Sequence, residues 1–178
     1  MKQHYGELTI RDATLQDAGQ LCQWWNDGKV MAHAGFPNGL GTTTDAVREK
    51  LQTNTTGHSS GNHRHMILYG EKPIGEMNYS EVSAETCEIG IKICDFSMQN
   101  KGLGKIILSL FIRTLFDELG YDRIILDTNL NNLRAQHVYE SLGFRKLRVN
   151  ENCWQDQLGV WQSAVDYELT KENFVSFL

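Results

Sequence analysis

Residues 99–104 read Gln-Asn-Lys-Gly-Leu-Gly, and a long apolar run starts at once with Lys105. Two closely spaced glycines let backbone N–H groups come near a bound group. A helix that begins there adds the positive end of its dipole. Together they form a cradle for an anion, and the expected anion is a pyrophosphate. The flanks suit a strand that enters the cradle and a helix that leaves it. Residues 85–94 alternate, with Cys87, Ile89, Ile91 and Ile93 on one face and Glu88, Gly90 and Lys92 on the other. After Gly104, Ile107, Leu108, Phe111, Leu115 and Leu119 recur at helical spacing. That helix is apolar nearly all round, so it belongs in a core, and Gly120 is placed to end it.

Elsewhere the pattern predicts a mixed order of elements. Residues 7–11 alternate as a strand. Thr14, with Asp17 in the first turn, starts a helix through Leu21 and Cys22 that ends near Trp24-Trp25-Asn26-Asp27. Four glycines and Pro37 make residues 28–41 a loop or a broken helix. Thr43 or Thr44 caps a second helix through Val47 and Leu51, and residues 53–63 are a mobile loop by composition. Residues 65–69 and 74–79 are strands joined by a turn. Residues 124–127 form a short buried strand, and Asn131 or Asn132 opens a helix that ends at Leu142-Gly143. Strands near 144–149 and 163–169 complete the chain. The expected class is α/β, or mixed α+β, with a mainly antiparallel first half.

Bulk properties narrow the function. The chain has 178 residues, which suits a single domain over 1–178 with its core at about 7–170. A net charge of −5 disfavours nonspecific nucleic-acid binding. Cys22, Cys87, Cys94 and Cys153 show no paired spacing, so reduced thiols and a cytoplasmic location are expected. No secretory leader opens the chain and no apolar run is long enough to span a membrane, so no membrane partner is expected. His63, His65 and Cys87 lack metal-ligand spacing, and no metal is expected.

Two phosphate-binding signatures fail on residues. A dinucleotide site needs a third glycine where Ile107 stands, and a P-loop needs a glycine at 99 and Ser or Thr at 106. The segment instead resembles the Q/R-x-x-G-x-G/A signature of the GNAT N-acetyltransferases. A second block, Asn132-Leu133-Arg134-Ala135, then Tyr139-Glu140, then Gly143-Phe144, is similar to that family's N-x-x-A…Y-E-x-x-G-F segment. One helix and one strand fit between the blocks, as in the family. The resemblance implies an acyl-CoA N-acyltransferase fold, a twisted mixed sheet of about six or seven strands flanked by about four helices. It implies acetyl-CoA as cofactor and acetyl transfer to a primary amine by direct attack in a ternary complex. The cofactor contacts it implies are Gln99, Asn100, Lys101, Gly102, Leu103, Gly104 and Lys105 at the pyrophosphate. Ile91, Lys92 and Ile93 would pair with the pantetheine arm like an added strand. Asn132 and Tyr139 would complete the set.

The chemistry asks for a base and an acid. An amine arrives protonated, with a pKa near ~10, and must lose a proton before attack, whereas the departing thiolate gains from receiving one. Tyr139 matches the family's tyrosine and is the acid candidate; the alternative is a helix tyrosine packed on the core. Glu88, eleven residues before Gln99, is the base candidate, directly or through water. Glu76 is its rival, either as base or as an electrostatic partner for a substrate ammonium. Asp127 and Asn129 sit at a strand end, where ligand sites gather, although both suit a turn. Trp24, Trp25 and Asp27 resemble the W-x-N-D stretch of ribosomal-protein-acetylating and aminoglycoside-acetylating relatives. Aromatic faces beside a carboxylate suit a cation, so these residues, with His33, Phe36 and Glu76, are the amine-binding candidates. Residues 149–162, with Trp154 and Trp161, either cover the substrate site or form a homodimer contact. A non-catalytic acyl-CoA-binding module is the competing reading.

Overall fold

A computed structural model describes residues 1–55 and 61–178. A hairpin opens the chain: β1 (Lys2–Tyr5) and β2 (Leu8–Asp12) pair antiparallel about Gly6, whose φ of +56° suits the tight turn. The sequence pattern marks no strand before residue 7. β1 forms because β2 offers it an edge, and it stays largely exposed. Thr14 then donates from its N–H and its hydroxyl to the Asp17 carboxylate, at 2.8 and 3.0 Å, which also accepts two hydrogen bonds from Arg11. This knot starts a short turn that leads into α1 (Ala18–Trp25). Asp27 caps the one-turn α2 (Gly28–Met31) by accepting from Lys29 N. Thr43 caps α3 (Thr44–Thr55), its hydroxyl accepting from Ala46 N at 3.2 Å.

β3 (Asn62–Tyr69), β4 (Lys72–Ser83) and β5 (Thr86–Ile93) form a meander. The loop expected at 53–63 is therefore shorter, since α3 persists to Thr55 and β3 begins at Asn62. Its middle, residues 56–60, lies outside the described residues. α4 (Leu103–Asp117), β6 (Arg123–Asn129), α5 (Leu133–Ser141), β7 (Arg145–Gln155) and β8 (Trp161–Thr170) follow. The sheet order is β1-β2-β3-β4-β5-β6-β8-β7, and only β5 and β6 run parallel. The described residues thus hold eight strands and five α-helices. The additional elements, β1 and α2, are too short to carry a period of their own.

Alternation sorts the side chains into three layers. Cys87, Ile89, Ile124, Leu126, Val165 and Tyr167 meet α4 and α5 on one face of the sheet. α4 is buried on most sides, which its all-round apolar sequence anticipates. On the other face α1 and α3 pack on Met66 and Cys94 through Leu21, Trp24, Trp25, Val47 and Leu51. The sheet has one deliberate opening. β5 and β6 pair only at Thr86–Arg123, Cys87–Ile124 and Glu88–Ile125. Beyond that register β5 continues against β4 and β6 continues against β8, so the two strands part.

Candidate active site

A cavity of about 590 Å³ lies where β5 and β6 separate. It crosses the sheet from one layer to the other. Residues 89–93 of β5 and Asp127, Thr128 and Asn129 of β6 form its sides. Leu108 of α4 and Val138 and Tyr139 of α5 close one end, and Lys29, Val30, His33, Ala34 and Trp154 close the other.

The cradle is built by local chain geometry. Asn100 at φ +59° and Gly102 at φ +75° turn the backbone into the N-terminus of α4. The first-turn N–H groups of a helix have no partners within it, and Gly102, Leu103, Gly104 and Lys105 are on the cavity wall. A Cβ at Gly104 would meet Val138 at 3.9 Å, an ordinary van der Waals contact, so α4 and α5 lie close together at this point of the wall. Gln99 fixes the loop: its Nε2 donates to the Ile93 carbonyl at 2.8 Å, and its Oε1 accepts from Arg134 at 2.7 Å. Asn132 caps α5 by accepting from Ala135 N at 3.3 Å while lining the cavity. Of the twelve sequence-derived cofactor candidates, Lys101 alone is off the wall.

Tyr139 is only 7% exposed, held by the rings of Phe144 and Tyr167 at 5.7 and 5.9 Å. Burial pushes its hydroxyl up to about 12, and the charge of Asp127 adds to the shift. The phenol therefore keeps its proton at neutral pH. Glu88 stands just before the wall residues of β5, on the opposite face from the α4 core and on the same face as Asp127 and Asp166. Burial raises the pKa of Glu88, and Asp127 and Asp166 raise it further. Asp127 is raised by burial and by Asp166, its direct cross-strand neighbour. Asp166 itself is lowered: burial works against its charge, but hydrogen bonds from Arg148 at 2.6 Å and Asn150 at 3.0 Å prevail.

The amine-binding candidates fare unevenly. His33 reaches the cavity wall. Trp24, Trp25, Asp27, Phe36 and Glu76 do not. Trp24 and Trp25 are core residues, 8% and 5% exposed. Trp25 Nε1 donates to Glu76 Oε1 at 2.7 Å, Arg64 pairs with the other carboxylate oxygen, and Lys92 Nζ lies 3.6 Å away. The Arg64 guanidinium also sits over the Trp25 ring at 4.9 Å. A buried indole N–H and a buried carboxylate each need a partner, and here they supply one another. Glu76 is 1% exposed, engaged by these three partners and off the cavity wall. Asp27 is spent on its cap, and Phe36 lies outside the wall. Among the wall residues that sequence reasoning passes over are Lys29, Val30 and Ala34, whereas Trp154 belongs to the 149–162 stretch expected either to cover the substrate site or to form a homodimer contact. Trp154 reaches the wall from a strand that departs from regular pairing between Asn150 and Trp154, where Asn152 has φ +47°. No local period marks such a residue.

Residues 7–145 match the family model described as acetyltransferase (GNAT) domain. Aminoglycoside N(6')-acetyltransferase type 1 of Klebsiella pneumoniae is 26% identical over 151 residues, covering 78% of this chain and 74% of that protein. An uncharacterized protein of Methanocaldococcus jannaschii is 33% identical over 84 residues, 47% of this chain but only 17% of its own length. Among solved structures, spermidine N-acetyltransferase from Vibrio cholerae in complex with CoA and spermine aligns with a TM-score of 0.83. Identity is 18%, over 95% of this chain and 98% of that one. The ribosomal L7/L12 alpha-N-protein acetyltransferase RimL, in complex with coenzyme A, gives 0.83 at 16% identity, over 96% and 98% of the two chains. At these identities the structures share a fold.

Proposed function

This chain belongs to the GNAT acetyltransferase family, and from that membership we propose that it acetylates a primary amine by direct attack in a ternary complex with acetyl-CoA. The observation that carries the reading is the cavity that crosses the sheet at the parting of β5 and β6. It gives donor and acceptor separate entrances and one meeting point. The residues present fit the cofactor. β5 from Ile89 onward has no strand beside it on the β6 side, so its peptide groups can pair with an extended arm. The cradle, with Lys105 and Arg134 on the same wall, offers N–H groups and positive charge to a pyrophosphate. Acetyl-CoA supplies the activated acyl group as a thioester.

The chain supplies proton management and orientation. Tyr139 holds a proton at its hydroxyl and is the group that can release it onto a leaving sulfur. Glu88, with its pKa raised toward the working range, takes up the ammonium proton directly or through water. Asp127, the carboxylate among the described wall residues, draws the acceptor's ammonium to the junction. The acceptor is a small-molecule or peptide amine that enters past α2 and His33.

The test is release of CoA thiol from acetyl-CoA with polyamines, aminoglycosides, amino acids and N-terminal peptides. Turnover with one class is expected. Tyr139→Phe is expected to lower kcat about a hundredfold or more while leaving the KM for acetyl-CoA in place. An enzyme that binds acetyl-CoA and releases thiol with none of these amines would overturn the reading.

A further inference from the structure

We propose that Gln157, which touches no part of the cavity, is a positioning residue that sets which amine enters, by clasping the loop behind the acceptor-side wall. The inference rests on the reading of the α2 side as the acceptor entrance.

Residues 35–42 connect the turn after α2 to α3 without regular structure. Two side-chain amides hold this stretch by its backbone. Asn26, at the end of α1, accepts from Thr42 N at 2.8 Å and donates to Thr42 O at 2.9 Å. Gln157, at the tip between β7 and β8, accepts from Asn38 N at 2.9 Å and donates to Gly39 O at 3.0 Å. Its own N–H donates to Gly35 O at 2.8 Å. One residue thus makes three hydrogen bonds to the loop.

The clasp closes on the cavity wall itself. Gly35 is buried at φ +93°, and a Cβ built there would stand 2.4 Å from Cζ3 of Trp154. The Trp154 ring therefore rests against the loop backbone while it also lines the cavity. The tip is held in turn from the cavity side. Asp156 accepts from Leu158 N, Val160 N and Gln162 Nε2, and Gln162 Oε1 accepts from Asn129 Nδ2 at 2.9 Å. Asn129 ends β6 on the cavity wall. A connected set of hydrogen bonds therefore runs from the junction of the cavity to the tip, and from the tip to the loop that directly follows His33 and Ala34. Loosening Gln157 widens the acceptor entrance and leaves the cradle untouched.

The experiment compares wild type with Gln157→Ala and Gln157→Glu. Glutamate keeps the acceptor for Asn38 N but has no donor for Gly39 O, so it is not expected to rescue. Backbone hydrogen exchange over residues 35–42 is expected to speed up about tenfold, with residues 99–104 unchanged. Steady-state rates with methylamine, spermine and kanamycin should show amine KM rising about three- to tenfold. Preference should shift toward the bulkier amine, with kcat and the KM for acetyl-CoA held. Unchanged exchange would overturn the clasp. Faster exchange with unchanged amine KM and preference would overturn its role in selection. A lowered Tm with kcat and both KM values moving together would reduce Gln157 to a structural part. A wild type inert to these three but active with an N-terminal peptide or amino acid would be compared on that acceptor. Inertness to the whole panel would count against acetyl transfer itself, the clasp then standing or falling on exchange alone.

Discussion

In the proposed reading the cavity has a donor end and an acceptor end, and the donor end is made from neighbours in sequence. Gln99 to Lys105 bend through two positive-φ residues into α4, and the partners that steady them, Ile93 and Arg134, come from the strand before and the helix that follows β6. The acceptor end is made from strangers. Lys29 and His33 come from the first quarter of the chain, Asp127 from the end of β6 and Trp154 from the edge strand, and the residue that ties them, Gln157, bonds to a loop more than a hundred positions away. A site that needs backbone N–H groups can be specified by a few residues in a row, because φ angles are local. A site that must fit a particular side of a particular amine is assembled by tertiary contacts, and each contact can change without disturbing the cradle.

Substitutions should therefore separate the two ends. Beside Tyr139→Phe, the largest effect is expected for Glu88→Gln, which removes the proposed proton acceptor next to the cavity wall: kcat/KM falls about a hundredfold at neutral pH, and the low-pH limb of the profile disappears. Equilibrium binding of acetyl-CoA, measured by calorimetry, should be unaffected. Next comes Gly102→Val. A β-branched residue at φ +75° is strained by about 1–3 kcal/mol, so acetyl-CoA should bind about ten- to a hundredfold more weakly, with the order of preference among amines preserved. Asp127→Asn is the mirror image and smaller: the amine KM should rise about tenfold with the acetyl-CoA KM constant. If Asp127→Asn weakened acetyl-CoA binding instead, the division between the ends would fail.

The subtlest outcome concerns pH in that same variant. With Glu88 as the proposed base, activity is expected to rise with pH as it ionises, and Asp127 is one of the charges that hold its pKa above the ordinary carboxylate value. With the charge gone, Glu88 ionises more easily. The low-pH limb of kcat/KM should therefore move to lower pH by a fraction of a unit. A limb that stayed in place would mean that Glu88 is not the group being titrated.

The same contrast explains what could be read in advance. The α4 run, the alternation of β5 and the Asn132 cap are each written within a single element, and the structure has them where the pattern puts them. Trp24-Trp25-Asn26-Asp27 shows the limit. Aromatic residues beside a carboxylate match a cation site in composition, yet periodicity does not say what lies opposite the helix. Opposite Trp25 lies Glu76, and the pair is consumed in the core with Arg64 and Lys92. β1 escapes because a four-residue exposed edge strand carries no hydrophobic alternation. Trp154 is legible only as part of a stretch with two open roles, because the irregular pairing that places it depends on β8, which comes later in the chain.

The grip on residues 35–42 has a consequence for how such a protein can change. Asn26 and Gln157 hold only peptide N–H and C=O groups, which every residue but proline carries. Apart from Gly35 and Gly39, where a side chain would collide with Trp154 or the Asn26 backbone, Gly41 at φ +65°, and Leu40, which packs on the core beneath α1 and α3, the stretch is anchored without regard to its composition. It behaves as an interchangeable cassette in a fixed frame. Under the proposed role of the clasp, new acceptor preferences can be drafted there by substitution, one residue at a time, while the machinery that handles the thioester is inherited whole.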